Sequence, residues 1–327
     1  MCRLNYIIPI VLILLINTSG YAQTCCSGGV PLSGNIGMPA STKGTWQFAL
    51  NYDYNFLNTF QSGTKKFDDK SQSRTTHSIL YQVGFAPTKR LSFDAFFSFV
   101  RQERLVIRNG TEDFIGINGI GDAVLLVKYR LTSLNSKRSL HLGVGPKIPL
   151  GAYDKGGRID SPEPDLQPGS GAWDVVFWGS YIMPTGIRPS MSLSLTSIYR
   201  LTGKNRDFID GLLPYEYGNE FQAVLAVSDR VAIKTVVVDP SLSFRFRTIT
   251  QDKGFDVERP NTGGDWIFII PGFSINISSR MAANFSFELP IFADIQGTQV
   301  VPTYRFNAGI FYVLPSKANR EKNQFDF

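Results

Sequence analysis

Alternating stretches of this chain place charged side chains opposite greasy ones: Asp53, Asp94, Asp122, Lys128, Arg130, Lys147, Asp174, Asp239, Arg245, Arg247, Glu288 and Arg305. Carboxylates and cations interleaved on one face can neutralise one another, or can orient a polar solute that passes between them. Mutual pairing is the plainer of the two. Trp178 falls on the same face, as do Phe96 and Phe311. These rings could stack on an aromatic or aliphatic solute, or simply fill a narrow interior.

Covalent and metal chemistry is poorly supplied. The chain has two histidines and three cysteines. His77 shares parity with Ile79, Tyr81 and Val83 on a greasy face. A His–Ser pair acting on lipid needs both groups on one face of neighbouring strands. The adjacent strands offer Trp46, Phe48, Phe93, Ala95 and Phe97 there, and no serine. His141 shares parity with Ser139 and Lys147 on the opposite face. Cys2 lies in the N-terminal leader, which leaves Cys25 and Cys26. Neighbouring cysteines in an exported chain can be free, oxidised together, paired between molecules or metal ligands. A metal site normally needs more ligands than these two, so a structural or incidental role is expected. No glycine motif of the phosphate-cradling kind joins a strand to a helix. No catalytic residue, metal or cofactor is expected.

The elements that carry the charged face read as β-strands. In the first, Trp46, Phe48, Leu50, Tyr52, Tyr54 and Phe56 share one side while Gln47, Asn51, Asp53 and Asn55 share the other. Period two is the signature of a strand with one greasy and one polar face. Eleven further candidates lie near 72–86, 90–103, 119–132, 138–151, 171–184, 188–202, 217–228, 230–247, 264–277, 279–291 and 302–314. Each is long enough to cross a bilayer when tilted, which takes roughly 9–11 residues. Pro240 interrupts one of them and cannot donate to a ladder, so a bulge or a hairpin beyond the membrane is expected there. Short connections alternate with long polar ones at Asn58–Ser71, Glu103–Asn118, Ala152–Ser170, Gly203–Glu216, Thr248–Gly263 and Phe292–Val301. Outer-membrane barrels segregate their loops in this way, short turns in the periplasm and long loops outside.

The expected fold is therefore all-β: a transmembrane antiparallel β-barrel of about twelve strands with short periplasmic turns and long extracellular loops. Composition agrees. At 43% hydrophobic, 13% aromatic and 18% charged, with mean hydropathy −0.05, the chain has no set of long apolar runs for a helical membrane protein. Arg3, the apolar stretch Ile7–Ile16 and Gly20-Tyr21-Ala22 form an export signal. The domain reading is a signal peptide over 1–22, a periplasmic or plug-like segment over 23–42, the barrel over 43–314 and a periplasmic tail over 315–327. Loss of Arg3 with the leader takes the net charge from +6 to +5, and the excess is not clustered, so no nucleic-acid partner is expected. The expected partners are outer-membrane lipid, the barrel-assembly machinery and a small-molecule solute, with the bacterial outer membrane as the location. In the last strand, Gly309, Tyr312 and Leu314 resemble the closing-strand assembly signal of outer-membrane barrels.

Three passages carry a wider resemblance. Gly119-Ile120-Gly121-Asp122 with Lys128-Tyr129-Arg130, Gly145-Pro146-Lys147-Ile148-Pro149-Leu150-Gly151, and Gln167-Pro168-Gly169-Ser170-Gly171 with Asp174 are similar to motifs of one family. It is the outer-membrane transporter family associated with the MetA pathway of phenol degradation, distantly similar to channels for hydrophobic compounds. The resemblance implies passive passage of small hydrophobic or aromatic compounds and no enzymatic activity. The competing reading is a structural or surface-binding barrel with a filled lumen. Crowding relief and turn formation account for the motif glycines without any transport role.

Overall fold

The computed structural model describes residues 23–24, 42–155, 163–234 and 236–316. The expected leader, Cys25 and Cys26, and the tail beyond Ser316 lie outside them. Alternating aromatic and β-branched residues favour extended pairing, and the described chain is almost entirely strand. The long elements are β1 (Thr45–Gly63), β2 (Gln72–Ala86), β3 (Leu91–Arg108), β4 (Thr111–Ile120), β5 (Ala123–Arg130), β6 (Ser139–Ile148), β7 (Asp174–Pro184), β8 (Ser192–Leu201), β9 (Glu220–Ser228), β10 (Val236–Ile249), β11 (Gly264–Asn276) and β12 (Met281–Leu314).

Every element but β4 belongs to one closed antiparallel ring in chain order, and β12 returns to β1. At that seam Tyr304 stands opposite Phe56 and Leu314 opposite Trp46, so the stretch 303–314 closes the barrel. Closure satisfies both edges of every wall strand, which lipid could not do. The ring has eleven strand elements where about twelve were expected. The two expected over 279–291 and 302–314 are the two arms of β12. Its first arm pairs with β11 and its second with β1, while Phe287 stacks on Tyr304 at 6.0 Å and Phe285 on Phe306 at 6.3 Å between the arms.

The greasy parity faces outward and the polar parity inward. Trp46, Leu50, Ile79, Phe97, Phe99, Leu125, Phe244 and Phe273 are exposed, whereas Gln47, Asn51, Ser78, Gln82, Ser98 and Gln222 are buried. At one end the connections 87–90, 131–138, 185–191 and 277–280 are short. The opposite end carries 149–173, 202–219 and 250–263. The last two build a small sheet from Lys204–Asn205, Tyr215–Glu216, Lys253–Gly254 and Val257–Glu258.

Three expected loops are wholly or largely strand instead. Of residues 58–71, those up to Gly63 continue β1, and Lys65–Phe67 turns back to pair with Phe60–Ser62. Residues 103–118 form a hairpin in which β3 and β4 turn at Asn109-Gly110, both at positive φ. Asn-Gly is a strong two-residue hairpin signal, and charges on the flanking positions hid the alternation. Residues 292–301 continue β12 around a tight reversal at Gly297. Pro240 sits in register with Phe273 and no bulge occurs there. Its carbonyl accepts from Asp229 N on the side where β9 has ended, so the missing N–H faces no ladder. Beyond it, Val231–Ile233 and Val236–Val238 form a short hairpin. Of the expected N-terminal segment, Gln23–Thr24 runs parallel to Gln299–Val300.

Gly145 explains one motif glycine. A Cβ there would lie 1.8 Å from the Leu125 carbonyl oxygen of the neighbouring strand. Gly145→Ala must move backbone, and overpacking of this kind costs about 1–3 kcal/mol. The substitution is expected to lower the urea midpoint of the folded barrel, with lipid-facing Val144→Ala near wild type.

Candidate functional site

Strand parity puts the charged side chains inside, and antiparallel register sets them beside one another. Lys147 stands opposite Asp174, and Arg200 opposite Glu220. The resulting ion pairs form a belt across five consecutive wall strands, β6 to β10, and reach Asp122 just before β5. Lys147 Nζ lies 2.7 Å from Asp122 and 3.0 Å from Asp174. Arg200 stands 4.0 Å from Asp174 and 3.3 Å from Glu220, and Arg247 lies 2.7 Å from Glu220. The remaining inner wall continues the pattern: Arg245 pairs with Glu288, Arg305 with Asp53 at 2.8 Å, and Lys128 with Asp94 at 3.1 Å. Gln82 donates to Asp94 at 2.9 Å.

Aromatic rings cover the cations. Lys128 Nζ sits 4.2 Å from the Trp178 ring and 5.8 Å from Phe96. Arg245 lies over Phe268 at 4.5 Å and Arg247 over Trp266 at 5.7 Å. Such contacts strengthen when desolvated. Two apolar clusters adjoin them: Leu80, Phe96, Val124, Leu126, Val176, Trp178 and Ile198, and on the far wall Ile249, Trp266, Phe268, Ala293, Ile295 and Val301. Phe311 is half-buried.

Of the charged candidates, Asp53, Asp94, Asp122, Lys128, Lys147, Asp174, Arg245, Arg247, Glu288 and Arg305 thus lie within this paired interior. Arg130 and Asp239 stand apart, near the short turns. Arg130 donates to Thr132 Oγ1 and to the Ser133 and Ser136 carbonyls, and Asp239 pairs with Arg230 at 2.8 Å. Sequence reasoning passed over Arg74, Asp165, Arg200 and Glu220, and named Ser170 only as part of the Gln167–Gly171 motif. Arg200 follows the strand parity and was findable; Asp165 lies in an aperiodic loop and was not.

That loop, as described over 149–155 and 163–173, packs into the barrel mouth. Leu166 and Gln167 are buried, and Arg74 on β2 binds Asp165, with Nη1–Oδ2 at 2.6 Å. Arg104 pairs with Glu163 at 2.7 Å. Asp122 accepts from Ser170 N at 3.1 Å, Ser170 Oγ at 2.6 Å and Gly151 N at 3.2 Å. The three motif passages therefore converge on one buried node of Asp122, Lys147, Ser170 and Asp174. Gly169 faces Gly151 so closely that an added Cβ would lie 2.6 Å from the Gly151 Cα.

Above the mouth, Phe208, Tyr215 and Tyr217 form an aromatic cap with Tyr153, Ile209 and Leu213. Asp252 anchors it, accepting from Tyr215 Oη and from Gly218 N at 2.7 Å. Burial is the main cause of its carboxyl pKa rising to about 6. His77 lies on the outer face, with Nδ1 2.8 Å from Tyr52 Oη.

No family model matches the sequence, and no curated protein matches it. Among solved structures, an outer membrane channel from Pseudomonas putida F1 matches with TM-score 0.65 and 15% identity, covering 87% of this chain and 100% of that one. The β domain of the Bordetella autotransporter BrkA gives 0.49 at 11% identity, over 83% of this chain and 100% of its own. A FadL homologue of Pseudomonas aeruginosa gives 0.39 at 11%, over 83% and 90%. The first likeness shows a shared fold. The chain is an antiparallel outer-membrane β-barrel, and its location is the bacterial outer membrane.

Removing the Lys147 ammonium would leave two buried carboxylates without their shared cation, a loss of about 3–5 kcal/mol. Lys147→Met is expected to shift urea unfolding accordingly, and adding Asp174→Asn should recover part of the loss in a double-mutant cycle. The Asp252 carboxyl holds its proton more readily in the folded cap than in an unfolded chain, so its stabilising effect is full below the ordinary aspartate range and is lost as pH rises through about 6. Hydrogen exchange over 250–263, corrected for its intrinsic pH dependence, should show faster opening at pH 7 than at pH 4. Asp252→Asn should flatten that difference.

Proposed function

We propose that the barrel is a channel for passive passage of small, uncharged, hydrophobic or aromatic compounds. The observation that carries this reading is the internal pairing of the inward charges. Each ion pair of the belt and of the opposite wall uses its cation on a neighbouring carboxylate. Such an interior presents little net field to select an ion. It does present two apolar clusters, and the indole N–H groups of Trp178 and Trp266 are buried with no hydrogen-bond partner among the described residues. A ring bearing one oxygen acceptor suits that combination of surfaces. The motif resemblance to the MetA-pathway transporter family supports the same class of solute, as does the fold shared with a channel.

In this reading the short turns face the periplasm and the longer connections face outside, with lumen-lining roles for Asp53, Asp94, Lys128, Trp178, Arg245, Arg247, Glu288 and Arg305. Gly309, Tyr312 and Leu314 serve assembly: Tyr312 and Leu314 stand opposite Phe48 and Trp46 at the seam. The barrel performs no covalent chemistry. The interaction of Arg74 with Asp165 favours the second reading, a barrel filled by its own loop, because it draws residues 163–172 into the mouth.

Swelling of proteoliposomes separates the two. The channel reading expects phenyl glucoside to enter faster than benzenesulfonate, and Asp165→Asn to raise both rates by loosening the inserted loop. No entry of either solute, in wild type or variant, would leave the filled barrel.

A further inference from the structure

The outer wall carries a polar rung that neither the ring nor the interior uses. Tyr54, His77 and Arg101 occupy one level on three adjacent strands, His77 standing opposite Tyr54 on one side and Arg101 on the other. All three face outward, since Asp53, Ser78 and Gln102 next to them are buried. One outward rung below, Tyr52, Ile79, Phe99 and Ile120 make a continuous greasy row, and all are exposed.

Height decides what meets this rung. Tyr54 lies nine residues above the start of β1 at Thr45, and His77 nine residues above the end of β2 at Ala86. At about 3.3 Å per residue and a tilt near 40°, nine residues climb roughly 23 Å, close to the top of the apolar band. The lipid-facing band of such barrels is about 25 Å tall. The rung therefore sits where acyl chains give way to headgroups, on the side of the long connections.

We propose that Tyr54, His77 and Arg101 bind the phosphate of an anionic glycolipid in the outer leaflet. A guanidinium offers a planar pair of donors that matches phosphate oxygens, and the Arg101 side chain is 58% exposed. His77 uses Nδ1 toward Tyr52, which directs Nε2 away from that bond. The Tyr54 ring packs edge-on against the imidazole at 5.2 Å and holds its plane. Glu103, 2.6 Å from Arg101, competes for the guanidinium and tempers the site. The acyl chains of the same lipid would lie along Ile79, Phe99 and Ile120, so the site continues the membrane interface. The inference rests on the orientation proposed above and not on passage of any solute.

Purified folded barrel in detergent, incubated with lipopolysaccharide or with its enzymatically dephosphorylated form, tests the site. Wild type should retain the phosphorylated form more tightly, and His77→Ala with Arg101→Ala should weaken that retention about tenfold, the size of one or two charge-assisted bonds. Glu103→Gln should tighten it. The double variant should remain heat-modifiable and keep wild-type flux, since its side chains lie outside the wall. Equal retention of the two lipid forms, or no change in the double variant, would overturn the phosphate site. Preference for phosphatidylglycerol over lipopolysaccharide would overturn its assignment to the outer leaflet.

Discussion

A lysine ammonium buried at 1% side-chain exposure organises the barrel interior around itself. Lys147 is held there by two carboxylates and by the Ser170 hydroxyl and Ala172 carbonyl. Neither the charge nor its partners could be left dry alone, because an isolated buried ion is prohibitively costly. Each partner also does a second job. Asp122 gathers the amides of Gly151 and Ser170, which fixes the loop in the mouth. Asp174 accepts from Gly203 N at 2.9 Å and stands near Arg200, which passes the pairing to the next strand. Loop position and wall electrostatics are thus set by one group of side chains.

The same logic accounts for the neutral character of the interior. A strand wall offers an inward position on every second residue, and its neighbour lies directly across. Opposite charges placed on adjacent strands then find each other without loops or helices to bring them together. The aromatic faces over Lys128, Arg245 and Arg247 add shelter that water would otherwise provide.

Period two made most of the wall readable from the chain. The inward and outward assignment of Asp94, Lys128, Lys147, Trp178 and their lipid-facing neighbours followed from alternation alone. Boundaries were less readable. Around the Asn109-Gly110 turn both faces of the hairpin are exposed, so the greasy alternation fades. Contacts made by loop 149–173 were invisible, because Asp165 meets Arg74 across 91 residues and no periodicity links them. The motif glycines were legible as architecture, but the node they serve exists only when three separate passages meet.

The seam between β12 and β1 has a temporal side. Asp53 and Arg305 are 252 residues apart in the chain, and their pairing spans the whole of the ring's synthesis. Until the final arm arrives, β1 exposes a full edge of unpaired amides and carbonyls, and Asp53 lacks that cation. Long-range pairing is slow because loop entropy is spent before the contact rewards it. An unfinished sheet in this state is sticky rather than half-functional. The chain must therefore be sheltered until its last strand docks, and the barrel comes into being as a whole.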